Sequence, residues 1–353
     1  MKRFFGISCL ALLSACATDM DALVYDDAAS VPVVYAKAET VPVESTDDAA
    51  DDPAIWINAS DPASSYILGT DKQAGLGIYT LSGAIQQFIP AGRLNNVDLR
   101  QGVTVGLWEG DLAAATNRTD DSVTLFTVDG EGANVFGSFA AELPEPYGMC
   151  MGQVGRDLIV FITYKTGEVD AHKLLSANGN ETLQERIGRI KFDTQLEGCV
   201  VDDATDTLYI GEEMRGVWKT SVASSIDGLK YTPPVLIDEI DGATGITGDV
   251  EGVALYKSDA ASYLVISSQG NDSYAVYDLD GDNNFRGRFR IAASEETGID
   301  GAQETDGIAI SSAPLGPDYP EGVLVAQDGF NRGATQNFKI VDWRDVKAAL
   351  GLE

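Results

Sequence analysis

Histidine is almost missing from this sequence: 353 residues contain one, His172. A serine–histidine–aspartate triad or a zinc centre built on several histidines is thereby nearly excluded. His172 itself, in Asp170-Ala171-His172-Lys173, reads as an exposed residue rather than a catalytic one. Cysteine is scarce too. Cys9 and Cys16 fall in the N-terminal segment, which leaves Cys150 and Cys199 for the folded part. Two cysteines make no disulfide framework; a bridge is open to them, but the expectation is a pair of free buried thiols. Cations are few, 24 Lys and Arg against 55 Asp and Glu, for a formal net charge of −31. Nucleic acid is excluded as a partner, because binding it needs cations on the protein. No glycine-rich run ends in Gly-Lys-Ser/Thr, so Gly242–Gly248 is not a phosphate loop, and Gly75-Leu76-Gly77 is a turn before a strand rather than a dinucleotide fingerprint. No contiguous EF-hand loop is present. Helical periodicity is rare.

What the chain does have is an export signal and a repeat. Lys2 and Arg3 precede an apolar run, Phe4 to Leu13, too short to span a bilayer. Leu13-Ser14-Ala15-Cys16 has the form of a bacterial lipobox. Residues 1–16 are therefore expected to be a lipoprotein-type signal peptide and residues 17–35 a linker. The exported chain would be anchored in the outer membrane by lipid on Cys16, or else released as a periplasmic or secreted protein. The only membrane contact expected is that anchor.

From residue 36 to 353 one pattern returns: a polar or acidic residue, a small one, then an apolar strand. It stands at Asp52-Pro53-Ala54, Asn96-Val97-Asp98, Tyr147-Gly148-Met149, Glu197-Gly198-Cys199, Glu251-Gly252-Val253 and Asp306-Gly307-Ile308, in steps of 44 to 55 residues. That period is the signature of propeller blades. The fold expected is all-β: a six-bladed β-propeller with four- to five-stranded antiparallel blades around a central channel. The last blade should close with a strand from near the N-terminus, Val33 to Ala38 or Val41 to Glu44, and Arg344 to Leu350 should form a short amphipathic helix.

The repeat brings together acids that are far apart in sequence. Each anchor begins an innermost strand, so six anchors meet at one mouth of the channel. Asp51, Asp52, Glu197, Asp249, Glu251 and Asp306 would converge there, with Glu212, Glu213, Asp300 and Asp328 as further candidates. Clustered carboxylates repel one another unless cations join them. Oxygen ligands suit a hard cation, most plausibly Ca²⁺. Lys72, Arg118 and Lys165 stand at strand ends on the same side. A basic trio beside clustered metals suits a phosphate.

These stretches resemble the β-propeller phytases, the calcium-dependent alkaline phytases of bacteria. The resemblance rests on DAADDPAIWI (48–57), LNNVDLR (94–100), TNR (116–118), EGCVVDD (197–203), LYIGEE (208–213), DVEGVALY (249–256), SSQGNDSYAVYD (267–278), ETDGIAI (304–310), VAQDG (325–329) and QNFKIVDW (336–343). It implies hydrolysis of the phosphomonoesters of myo-inositol hexakisphosphate, bound as its calcium complex, with other inositol phosphates as further substrates, by a protein expected to be monomeric. It implies active-mouth calcium on Asp51, Glu197, Glu213, Asp249, Glu251, Gln269 and Asp306, and structural calcium on Asp52, Asp300, Asp328 and Asn331. Lys72, Arg118, Tyr147 and Lys165 would hold the phosphate being cleaved. The chain departs from the family pattern at Gln73, where a second lysine is frequent, and at Thr166 and Phe330, where acidic residues are.

The mechanism expected is attack in line on phosphorus by a water between calcium ions near Asp249, Glu251 and Glu197. Two rival readings are a calcium-dependent lactonase, which needs no basic trio, and a surface-binding propeller that uses calcium only for rigidity.

Overall fold

A computed structural model describes residues 31–177 and 182–353. The expected signal peptide, residues 1–16, and the linker up to residue 30 lie outside the described residues. Pro32–Glu353 form one unit made of six sheets.

The blades follow one another along the chain, each running from its inner strand outward. The first comprises β3 (Ala50–Trp56), β4 (Tyr66–Asp71), β5 (Gly75–Thr80) and β6 (Ile85–Pro90). The second has β7 (Leu94–Val105) to β10 (Gly132–Ala140), and the third β11 (Pro146–Val154) to β14 (Thr182–Lys191). The fourth, β15 (Leu196–Asp202) to β19 (Val235–Glu239), divides its edge: β17 (Gly216–Ser225) pairs with both β18 (Gly228–Tyr231) and β19. The fifth runs from β20 (Val250–Lys257) to β23 (Phe285–Ala292), the sixth from β24 (Ile308–Ser311) to β26 (Asn337–Asp342).

The six inner strands, β3, β7, β11, β15, β20 and β24, touch in sequence and close the ring, with β24 against β3. Strand alternation explains the rest. One face of each sheet meets the next blade, and six apolar clusters fill the six seams. Leu68, Ile78, Val97 and Phe126 pack between the first and second blades. Tyr256, Phe289, Ile308 and Trp343 pack between the fifth and sixth.

The ring is latched from the N-terminus. β1 (Val33–Tyr35) adds a parallel strand to β23, and β2 (Ala38–Glu39) pairs with β26 as the outer strand of the sixth blade. The linker expected to reach residue 35 is therefore already strand from Val33, because β23 offers an unpaired edge. Closure falls on Ala38–Glu39. Val41 to Glu44 contributes backbone hydrogen bonds, such as Val43 N–H to the Gln336 carbonyl at 2.9 Å, but no strand. The helix α1 (Trp343–Leu350) opens on Asp342, whose carboxylate accepts from the Arg344 N–H, and ends at Gly351 with φ 63°.

Two expectations are corrected. His172 is fully buried, its Nδ1–H donating to Gln184 Oε1 at 2.8 Å and its ring lying against Phe139. It alternates inward on β13 (Glu168–Ala177), a face the sequence run around it had disguised with Asp170 and Lys173. Cys150 and Cys199 are not free thiols: they form a disulfide with Cα atoms 5.5 Å apart, since the inner strands of the third and fourth blades lie side by side.

Candidate active site

Five inner strands open with a β-bulge. In the first blade Ala50 pairs with Asp71 and Pro53 with Gly69, so Asp51 and Asp52 share one partner, Thr70. The same break leaves Asn95–Asn96 opposite Thr116, Tyr147–Gly148 opposite Thr163, Glu197–Gly198 opposite Gly211 and Glu251–Gly252 opposite Ser267. Bulges re-aim side chains at strand ends. Here they place Asp51, Asn95, Tyr147, Glu197 and Glu251 at equivalent positions around one mouth, and Asp306 precedes Gly307 in the sixth blade.

The bulges overlap from blade to blade, which explains the small residues. A Cβ at Gly148 would lie 2.0 Å from the Glu197 carbonyl oxygen, and one at Gly198 would lie 2.2 Å from that of Glu251. The residue opposite a bulge also holds the next blade: Thr116 Oγ1 donates to the Tyr147 carbonyl at 2.6 Å, and Thr163 Oγ1 to that of Glu197 at 2.7 Å.

Two groups share the rim. Glu197, Glu213 and Glu251, all buried, bring carboxylate oxygens within 4.8 Å of one another. Burial drives the Glu197 and Glu251 carboxyls above the usual range, and the two interact directly. Burial and the charge of Glu197 push Glu213 up to about 7, although Gln195 Nε2 donates to it at 2.5 Å. Beside them Lys72 Nζ lies 3.0 Å from Asp51, 2.9 Å from Asp306 and 2.6 Å from Asp48. Burial alone would lower its ammonium, but Asp51 and Asp306 outweigh that and raise it. Gln269 Nε2 donates to Asp306 Oδ1 at 2.7 Å. Asp249 precedes Val250, whose N–H donates to the Glu213 carbonyl, and its charge adds to the pressure on Glu213.

The rim oxygens are only partly satisfied. Asp51 Oδ2 and Glu251 Oε2 are buried without a hydrogen-bond partner. Oxygen-only donors with orphaned buried lone pairs fit a hard divalent cation.

Tyr147 stands between this rim and two cations. The Arg118 guanidinium lies 5.7 Å and Lys165 Nζ 4.1 Å from its ring centroid. Burial, then the charge of Glu197, keeps the phenol protonated far above its ordinary range. Arg118, Tyr147 and Lys165 thus stand together, while Lys72 lies among Asp48, Asp51 and Asp306.

The other residues expected to hold metal lie elsewhere. Asp52 turns from the mouth: its Oδ2 accepts from the Val97 N–H at 3.0 Å, and it lines the channel, about 510 Å³, with Asp98 and Arg100. Burial raises its carboxyl well above the usual range. Asp300 and Asp328 do meet, but around the fully buried ammonium of Lys339, at 2.5 and 2.9 Å, with Glu39 at 2.6 Å. The remaining Asp300 oxygen accepts from the Arg332 N–H, and Asp328 Oδ1 from the N–H groups of Gln303 and Phe330. Asn331 donates to the Thr335 carbonyl. A divalent ion there would have to displace Lys339, so this donor set does not fit one. Glu212 accepts from Thr194 and from the Trp218 indole, outside the rim.

Sequence reading also missed residues. Asn95 holds a rim position, and the signal was available: counting back from the glycine of each later anchor gives Asp51 and Asn95, not Asp52 and Asn96. Gln73 ties the loop bearing Asp48 through the Thr46 and Asp48 carbonyls at 2.6 and 3.1 Å. Thr166, a second of the three departures, is hydrogen-bonded to Glu168.

A model of the Phytase family matches residues 2–353. A 3-phytase of Bacillus subtilis (strain 168) is 36% identical over 335 residues, which is 90% of this chain and 85% of that protein. Among solved structures, the calcium-binding protein regucalcin from Agrobacterium tumefaciens superposes with a TM-score of 0.54 at 13% identity, over 88% of this chain and 96% of its own. A gluconolactonase from Xanthomonas campestris gives 0.52 at 13% identity, over 88% and 94%. At that identity the two structural likenesses speak for the fold alone.

Proposed function

The chain belongs to the phytase family, and from that premise we propose that its channel mouth hydrolyses phosphate monoesters of phytate with calcium held by the acidic rim. The observation that carries this reading is the convergence of Glu197, Glu213 and Glu251 beside a Tyr147 ring covered by Arg118 and Lys165. An acidic rim alone repels a polyphosphate; an acidic rim that binds divalent cations attracts one.

Asp51, Glu197, Glu213, Asp249, Glu251, Gln269 and Asp306 would hold the ions. Calcium, when bound, supplies positive charge for the phosphoryl oxygens and lowers the cost of deprotonating the attacking water. Lys72 is paired with Asp51 and Asp306. Were Asp51 and Asp306 to hold cations, the Lys72 ammonium would be free to donate to a phosphate oxygen. Arg118 offers a planar fork of donors and Lys165 a mobile point charge. The protonated Tyr147 hydroxyl donates rather than attacks. The forming bond joins water oxygen to phosphorus as the phosphorus–inositol oxygen bond breaks. The water proton would pass through the Glu197 and Glu251 carboxylates, and the inositol oxygen would take up a proton as it leaves, so that water and ester give inositol hydroxyl and phosphate. Phytate as its calcium complex, with other inositol phosphates, is the partner this chemistry recognises. Export, as a lipid-anchored or released monomer, is the accompanying proposal, supported by the Lys2–Cys16 pattern.

Phosphate release from phytate, measured in calcium and after chelation, tests the reading. Release should disappear with chelator and return with Ca²⁺. Undiminished release after complete chelation, or none in calcium, overturns it.

A further inference from the structure

Among the bulge positions that form the rim, Asn95 stands out because it carries no charge and no phenol. It is fully buried, on the inner strand of the second blade, at the register position that Asp51, Tyr147, Glu197 and Glu251 occupy on theirs. Its Nδ2 donates to Glu197 Oε1 at 3.1 Å and to Asn96 Oδ1 at 2.9 Å. Two acceptors at one end of the amide fix which end is nitrogen. The other end, Oδ1, is buried and has no partner. A buried carbonyl oxygen left unpaired is costly and calls for an explanation.

We propose that Asn95 is a further residue of the cation-binding rim: a positioning residue that holds the Glu197 carboxylate through Nδ2 and offers Oδ1 to a divalent cation. The proposal rests on the calcium reading above. An acid at this position would set another negative charge against Glu197. An apolar residue would leave Glu197 Oε1 without a donor. The amide does neither. It orients Glu197 when the rim is empty of metal, and it adds a neutral oxygen of the kind hard cations accept. Asn96 makes the arrangement rigid, since its own N–H is held by Thr116 Oγ1 at 3.3 Å.

The test uses calcium alone as the probe, by calorimetric titration and by thermal unfolding in chelator and in calcium, on wild type, N95L and N95D. N95L should lose about 10- to 100-fold in rim calcium affinity, the range for removing a group that orients a ligand, and show a smaller calcium-induced rise in unfolding temperature. N95D keeps an oxygen but faces Glu197 with a second charge. It should unfold at a lower temperature in chelator and show a larger calcium-induced rise than wild type. A purely structural asparagine would move both variants in one direction. Wild-type affinity in N95L, or the same direction of change in both variants, overturns the proposal. If N95L does not fold, an N95D without the larger rise overturns it alone. A wild type that binds calcium but releases no phosphate from phytate ends the phytase reading and leaves Asn95 in place; one that binds no calcium ends both.

Discussion

Cys150 and Cys199 are joined across the seam between the third and fourth inner strands. The bridge lies just beyond Tyr147 and Glu197, the leading bulge residues of those two strands. It therefore fixes the spacing between the ring that Arg118 and Lys165 cover and the carboxylate that meets Glu213 and Glu251. Structure and site are coupled through two sulfur atoms that the sequence placed at similar offsets from their anchors.

Removing that bridge should cost stability. The cysteines are 49 residues apart, and closing a loop of that length restrains the unfolded chain by about 4 kcal/mol in the chain-entropy treatment. The C150A/C199A variant should lose about 2–4 kcal/mol in denaturant unfolding under oxidising conditions. An unchanged midpoint would show that the seam is held by its apolar packing alone.

Arg118 separates phosphate chemistry from the alternatives. Its guanidinium faces Tyr147, and its Nε is buried without a partner, as a group waiting for an anion would be. Arg118→Ala should lower kcat for phosphate release by about 10²–10³, the usual effect of losing one donor to developing charge. Calcium binding and the unfolding midpoint should hold. A variant with near wild-type turnover would favour a reaction that needs no cation there, such as lactone hydrolysis.

The six-blade plan was legible because its signal is collective. Asp306-Gly307, Glu251-Gly252, Glu197-Gly198 and Tyr147-Gly148 repeat at blade spacing, and glycine is required there by a neighbouring carbonyl oxygen 2.0 to 2.2 Å from the absent Cβ at positions 148 and 198. In the first two blades Asp52 and Asn96 take the glycine position, which hid Asn95. The cradle of Asp300 and Asp328 was legible as a pair of acids but not as the surroundings of Lys339. That residue sits mid-strand in Asn337-Phe338-Lys339-Ile340, and nothing local says that a lysine there is wholly buried. His172 failed for the same reason: flanking charges suggest a surface, while the register turns its ring inward.

The rim also sets how stability changes with pH. Glu213 titrates at about 7 in the folded protein against an ordinary value of 4.5. A carboxyl raised on folding stabilises below the unfolded value, and that contribution is lost as pH rises through the folded one. For Glu213 the loss falls between about pH 4.5 and 7. Glu197, Glu251 and Asp306 are raised too and add in the same direction. The lowered carboxyls Asp202 and Asp342 act oppositely, but their gain is complete above about pH 5. In chelator the denaturant midpoint should therefore fall from pH 5 to 8. In millimolar calcium, which binds the ionised rim, it should rise over the same window. A midpoint in chelator that climbs across this range would sink the argument.

Lys339 supplies the last expectation. Its ammonium is fully buried, with Asp300, Asp328 and Glu39 within 2.9 Å, and Glu39 belongs to the strand that closes the ring. Burial holds the Asp328 carboxyl at about 6 even against that ammonium, and the charge of Asp300 pushes it the same way. Lys339→Met removes the cation and keeps the shape. Breaking one side of a buried ion pair costs about 3–5 kcal/mol, and here the fully buried Asp328 is left without its cation. The variant should unfold at a clearly lower temperature in chelator, with the N-terminal strand exchanging its amide hydrogens faster. The vacated position, lined by Asp300, Asp328 and Glu39, then becomes open to a divalent ion. The calcium-induced rise in unfolding temperature should exceed that of wild type, and titration should count one more site. A variant with wild-type calcium stoichiometry and an equal rise would mean that the cradle is closed to metal for reasons other than Lys339.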